Sequence, residues 1–457
     1  MRSPLPRRQP ERRGLRLWPV RRVLVLAFAA AIASAAAVFT AGWVLLGVQG
    51  LTPEHHIGSR TLFDLAKLAF GVVAGAGALV ALVVAYRRQR VDEDGALREA
   101  TRLHTERFTA TVSQLGDGSE AVRLGGVYAL AGLADDAPTR DLRQTCIDVL
   151  CAYLRLHYTA EADLPVGDED ARHAYLAQRE VRHTVIRLIR DHLRLSPEDP
   201  HSWQGHQFDF TTVTFDGGDF SHAVFSGGTV NFFGAVFSGG AVNFRGAEFS
   251  GGKVTFRDAK ISDGLINFYG AVFSGTRVDF CGAKISGGKI TFRNAKISGS
   301  MVDFRGAALS SGVVSFRGAN VSAGRVNFFG AVFSGGTVNF HSSKINGGTI
   351  NFHSQFSGST VDFSDAEVSG GTVNFRDAKF SGGAVNFYSA KFSGGTVDFH
   401  SSRFDGATIS FSGARFDGAT VDLSTVSGTP PTGLIPTYEG PLPAGLSLPP
   451  DWYAAEA

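Results

Sequence analysis

From Phe210 onward, large apolar side chains return at intervals too regular for an ordinary globular core, and this rhythm limits what the chain can build. Phe210, Phe215, Phe220 and Phe225 stand five apart. Phe232, Phe244, Phe256, Phe268, Phe280, Phe292, Phe304, Phe316, Phe328, Phe340 and Phe352 then follow at intervals of twelve. One residue drops out near Gln355, and the series resumes from Phe363 to Phe411 and Leu423. A second apolar series lies five residues behind the first (Phe237, Phe249, Ile261, Phe273, Ile285, Ile297). Val or Ile precedes the first series by two positions and Ala the second, so each segment alternates inward and outward side chains as a short strand does. Ser-Gly-Gly and x-Gly steps separate the segments and supply turns. Strands of three or four residues cannot bury a face alone, so the units must stack on one another. This repeat accounts for the 56 glycines and 37 phenylalanines, and 44% hydrophobic content excludes general disorder.

The segments Val-Asn-Phe-Arg-Gly (242–246), Ala-Glu-Phe-Ser-Gly (247–251) and Val-Asp-Phe-Arg-Gly (302–306) resemble the unit of the pentapeptide-repeat family. That resemblance implies a right-handed quadrilateral β-helix, here with spacing that alternates 5 and 7 where the family keeps a steady 5. Two windings fit the spacing: a four-sided coil of 24 residues, or a flat two-sided coil of 12. A flat coil would enclose two Phe or Ile, a Val and an Ala in every layer, which overpacks so narrow a section, so four sides are favoured. About nine coils then form a rod on the order of 45 Å long.

Ahead of the repeat, Val23 to Val48 is apolar and uncharged, long enough to cross a bilayer as a helix. A second apolar stretch runs from about Leu62 to Tyr86, with Asp64 and Lys67 near its start. Eight arginines (Arg2, Arg7, Arg8, Arg12, Arg13, Arg16, Arg21, Arg22) precede the first stretch, and Arg87, Arg88 and Arg90 follow the second. The positive-inside rule then places both termini in the cytoplasm. A cleaved leader ending near Ala33-Ser-Ala35 is the competing reading, but the apolar run continues past that point. The organisation resembles membrane-anchored pentapeptide-repeat proteins of actinomycetes, with Ser202-Trp-Gln-Gly205 and Phe208-Asp-Phe210 at the entry to the repeat.

Residues 92–200 carry apolar side chains at helical spacing. Helices are expected from an N-cap at Ser119, from about Asp141 to Tyr158, and from about Asp168 to Leu195. Cys146 and Cys151 lie about 140° apart on their helix, which suits buried thiols and not one metal. The expected organisation is multi-domain. A basic N-terminus (1–22) precedes a two-helix transmembrane hairpin (23–90) and a small α-helical segment (91–200), followed by the β-solenoid (201–428) and a Pro-rich tail (429–457) laid over the last coil or free.

Function must reside on outward positions, because the Phe and Val ladders are core. Arg245, Arg257, Arg293, Arg305, Arg317 and Arg376 each follow an inward Phe and form a candidate ladder for an anionic partner. His341, His353 and His400 share that position, though a four-sided coil puts the first two on opposite faces and so disfavours a metal. Some pentapeptide-repeat relatives imitate duplex DNA and bind gyrase or topoisomerase; that alternative needs a sustained acidic face, whereas residues 201–428 are net positive by two. Gly251-Gly-Lys253 lacks the Ser or Thr and the helix of a phosphate loop. The sequence therefore points to a non-enzymatic, two-pass membrane scaffold or protein-binding module with a cytoplasmic solenoid. Its expected partners are the lipid bilayer and a protein; neither a cofactor nor nucleic acid is expected.

Overall fold

The computed structural model describes residues 58–434 and 444–453, with scattered positions between 25 and 44. The chain divides into two units, 1–102 and 103–457. Most of the expected first span, and all of the basic N-terminus, lie outside the described residues.

Helix α1 runs from Ser59 to Leu115 and contains the one described helix long and apolar enough to cross a membrane. The second expected span falls inside it, but the helix does not stop near residue 90, where the sequence suggested a boundary. Residues 87–115 contain Arg, Gln, Glu, Ala and Leu with a single glycine, Gly95, so nothing breaks the helix until Gly116 and Gly118.

Three shorter helices follow: α2 (Glu120–Asp135), α3 (Arg140–Leu154) and α4 (Glu169–Arg194). Thr139 and Asp168 cap α3 and α4 by accepting from the N–H groups of Leu142 and Ala171. Ser119 occupies the N-cap of α2, but its side chain makes no capping bond. Its own N–H donates instead to Asp117 (2.8 Å). The helices bury one face each, through Val127, Leu130, Ile147, Leu150, Val185 and Ile189. Cys146 and Cys151 are fully buried, and burial pushes their thiols up to about 11 and about 12.

Beyond Phe208 the chain winds into a β-solenoid of about ten turns reaching residue 447. Its strands form four parallel sheets of 11, 10, 9 and 9 strands. We call these sheets one to four in the order the chain visits them in a coil, with sheet one starting at Phe208–Asp209. After a shorter entry coil that pairs Phe208 with Val230, partners are 24 residues apart: Val230 with Val254, Phe237 with Ile261, Val242 with Ile266 and Phe249 with Phe273. This excludes the flat 12-residue winding. The lost residue shortens one coil to 23, pairing Val332 with Gln355, and the register recovers. The count exceeds the expected nine because Leu446–Ser447 adds a strand beside Val421–Asp422.

The Phe series splits into two ladders inside the coil. Phe232 stacks on Phe256 at 4.5 Å between ring centroids, and Phe292 lies between Phe268 (4.9 Å) and Phe316 (4.7 Å). The ladders meet edge to face, as Phe256 and Phe268 do at 6.1 Å and 87°. Each such ring contributes about 1.5–3 kcal/mol through burial and roughly 0.5–1.5 through ring geometry. At the corners, Gly252 has φ +67° and a Cβ there would come within 2.5 Å of the Gly228 carbonyl oxygen, so only glycine fits.

The outward residue just before each Phe of the first series also shapes the coil. Asn243 Oδ1 accepts from the Arg245 N–H at 3.1 Å, and Asn231, Asn267, Asp279 and Asp398 do the same for the residue two further on. These Asx turns explain the recurrent Asn, Asp or Thr before the Phe.

Both open ends of the core are covered. At the entry, Trp203 is fully buried, stacks on His192 of α4 at 4.1 Å and donates its indole N–H to Asp135 (3.1 Å). At the exit, Trp452 is buried with its ring 6.5 Å from that of Phe404, so the described part of the Pro-rich tail lies on the last coil. Capping of this kind keeps a stacked repeat from exposing its terminal rungs.

Candidate functional site

The 24-residue winding divides the six candidate arginines between two separate ladders. Arg257, Arg305 and Arg376 follow sheet one; Arg245, Arg293 and Arg317 follow sheet three. They are not brought together as one site.

On the sheet-one ladder Arg305 and Arg376 are paired with carboxylates, whereas Arg257 has no ion pair among the described residues. Asp303 is 0% exposed and accepts from Arg277 (2.8 Å), from Arg305 Nε (3.0 Å) and from Asn327 Nδ2 (3.3 Å). Arg376 lies 3.5 Å from Asp398. Asp279, Cys281 and Asp303 bring three potential ligand atoms within 4.8 Å of one another. The donor set does not suit a cation, because Arg277 and Arg305 already neutralise the carboxylates. Burial and the neighbouring Asp279 push the Cys281 thiol up to about 11, which keeps it protonated. His353 and His400 stand on this ladder, 3.6 Å from Asp377 and 3.9 Å from Asp422, while His341 stands on the other, 3.8 Å from Asp365.

On the sheet-three ladder the cations are free. Arg245 lies over the ring of Tyr269 at 5.4 Å, and Asn294 donates to the Tyr269 hydroxyl at 3.2 Å. Arg245, Lys289, Arg293 and Arg317 are exposed, and among the described residues none of them has a carboxylate partner. A shallow cleft of about 310 Å³ lies between Arg245, Tyr269, Lys289 and Arg293, floored by Leu265, Asn267 and Thr291. Along this stretch sheet one carries Asp279 and Asp303 before its Phe, whereas sheet three carries Asn243, Asn267, Thr291 and Ser315, which bring no charge; elsewhere on sheet three the same position is Asp219 or Asp362.

A third cluster escaped the sequence reading. Asp216, on the first coil, receives Tyr158 (2.5 Å), Tyr175 (2.8 Å) and Arg179 (3.0 Å), and His183 of α4 lies 3.2 Å away. Burial on its own would raise the Asp216 carboxyl. The hydrogen bonds from His183, Tyr158 and Tyr175 outweigh it and hold the group well below the usual carboxylate range. Tyr175 is pushed up to about 12, by burial and by its bond to Asp216. A cleft of about 420 Å³ opens beside the cluster, lined by Glu161, Tyr175, Arg179 and Ser238. With four groups already on it, Asp216 is a latch between helices and coil and not a general base. One signal was available: the next coils carry Ser238, Ser262 and Ser286 at the equivalent corner, where the first carries Asp; Asp recurs there only at Asp405, in a late coil.

Residues 210–260 match the family model for pentapeptide repeats (9 copies). No curated protein and no solved structure matches the chain. Beyond the matched residues the same four-sided winding continues, through the shortened coil at Gln355, to the end of the solenoid.

Proposed function

We propose that the chain is a membrane-tethered, non-enzymatic scaffold that holds its solenoid in the cytoplasm for a protein partner to dock on. The packed interior carries this reading. Both Phe ladders fill the coil, and only the outer faces are left to meet another molecule. Pentapeptide-repeat proteins are in general structural or binding proteins. The apolar part of α1 supports the tether, and Arg87, Arg88 and Arg90 after it support a cytoplasmic solenoid. The DNA-mimic alternative finds no support in the outer faces, where the cations of sheet three stand uncompensated.

The test combines fractionation with photocrosslinking in cells. The chain is expected in the membrane pellet after an alkaline carbonate wash, and a photoreactive residue at Arg293 should give a discrete protein adduct that the same residue at Lys379, on sheet two, does not. Release into the wash would sink the tether. Absence of an adduct from every outward position would sink the scaffold, and recovery of gyrase would restore the alternative.

A further inference from the structure

On the sheet-three ladder unpaired cations gather on neighbouring rungs around an aromatic ring and a shallow cleft. Arg245, Lys289, Arg293 and Arg317 stand on successive or alternate rungs; on sheet one Arg277, Arg305 and Arg376 are neutralised by Asp279, Asp303 and Asp398, and Arg257 has no ion pair among the described residues. Among the described residues, Glu248 on sheet four and Asp263 at the corner before Leu265 make no ion pair with them. Exposed guanidinium groups held by a rigid β-scaffold, with no internal counter-charge, are complementary to an external anion.

Geometry narrows the anion. Arg245 to Arg317 spans three coil intervals, roughly 14 Å at about 4.8 Å each, which is the length of four or five residues of extended peptide. A single phosphate cannot reach cations spread over that distance. A run of carboxylates can, with its aliphatic stems against Leu265 and the Tyr269 ring, which is already oriented by Asn294. A nucleic-acid backbone needs a broader positive field than four cations flanked by Glu248 and Asp263. We infer that the stripe formed by Arg245, Tyr269, Lys289, Arg293 and Arg317 is the docking site for an acidic, extended segment of a partner protein. This assignment rests on the scaffold reading and adds to it the face used and the chemistry of the partner.

The test uses the full chain in detergent micelles, fluorescein-labelled decaglutamate as the probe, and anisotropy at low and high salt. The parent should bind the probe in a salt-dependent way, and Arg245→Gln/Arg293→Gln/Arg317→Gln should weaken binding by about tenfold or more. The corresponding Arg→Lys triple should retain most of it. A control, Lys260→Gln/Lys284→Gln/Lys379→Gln, removes the same charge from sheet two and should change binding by less than about twofold. Equal loss in both Gln triples would mean that only net charge matters and would overturn the site, as would parental binding by the Arg→Gln triple. Tighter binding of an oligothymidine of similar charge would overturn the peptide assignment. If the stripe fails while photocrosslinked adducts still form at other outward positions, the scaffold reading stands without it.

Discussion

Phe292→Asp is expected to abolish cooperative folding of the solenoid around its coil. Phe292 is wholly buried between Phe268 and Phe316, with Phe273 and Phe280 also against it. Removing the ring costs about 3–5 kcal/mol, as for other large-to-small core changes. Placing a carboxyl there, with no partner, adds several kcal/mol whether it ionises or stays protonated. The sum is comparable with the whole stability of an ordinary domain, about 5–15 kcal/mol. Because each coil contacts only its neighbours, the break should propagate along the stack. Circular dichroism during heating and limited proteolysis read the effect: Phe292→Asp should lose its transition and be cut within residues 280–304. Phe329→Asp, where the ring is 48% exposed, should melt within a few degrees of the parent. A Phe292→Asp protein that melts like the parent would show that inside and outside have been exchanged.

Asp216→Ala should loosen the helical segment from the first coil. The change leaves Tyr158, Tyr175 and Arg179 without their acceptor, and removing one partner of a buried ionic cluster costs about 3–5 kcal/mol. The lower end applies, because Arg179 keeps 40% of its side chain in solvent. Hydrogen exchange should rise in α4 while the central coils keep their protection. The pH dependence follows from the depressed carboxyl. A folded value below the ordinary 3.8 stabilises the joint at every pH above 3.8, and that contribution disappears as pH falls through the lower folded value. The difference between parent and Asp216→Ala should therefore stay constant from neutral pH down to about 5 and shrink only in stronger acid. A variant whose α4 exchanges like the parent's would remove Asp216 from the joint.

The solenoid was largely legible because its signal is repeated: one Phe at a fixed interval says little, but the reiterated series with Val or Ala two before each member leaves few ways to bury the rings. The winding number was less accessible. Periods of 12 and 24 give identical inward patterns, and only the volume of Phe, Ile and Val in each layer separated them. That uncertainty passed to the candidate site, since six arginines at equivalent sequence positions fall on one face or two according to the coil. The corner bonds of Asn243 and its equivalents were missed because an outward polar residue looks the same in sequence whether it is solvated or caps a turn. Asp216 was missed because its partners Tyr158, Tyr175 and Arg179 come from another part of the chain. The continuation of α1 to Leu115 was missed because a change from apolar to charged composition reads as a boundary, although no residue there breaks a helix.

The four-sided winding can be tested by pairing cysteines in a Cys281→Ser background, with Cys146 and Cys151 left buried. The hydroxyls of Ser298 and Ser322, 24 residues apart, lie 3.1 Å from each other on adjacent rungs. Ser298→Cys/Ser322→Cys should therefore form a disulfide under mild oxidation without loss of the thermal transition, while Ser298→Cys/Ser310→Cys, 12 apart, should remain reduced. Efficient crosslinking of the 12-residue pair, with none in the 24-residue pair, would contradict the coil on which the two phenylalanine ladders and the separate arginine faces depend.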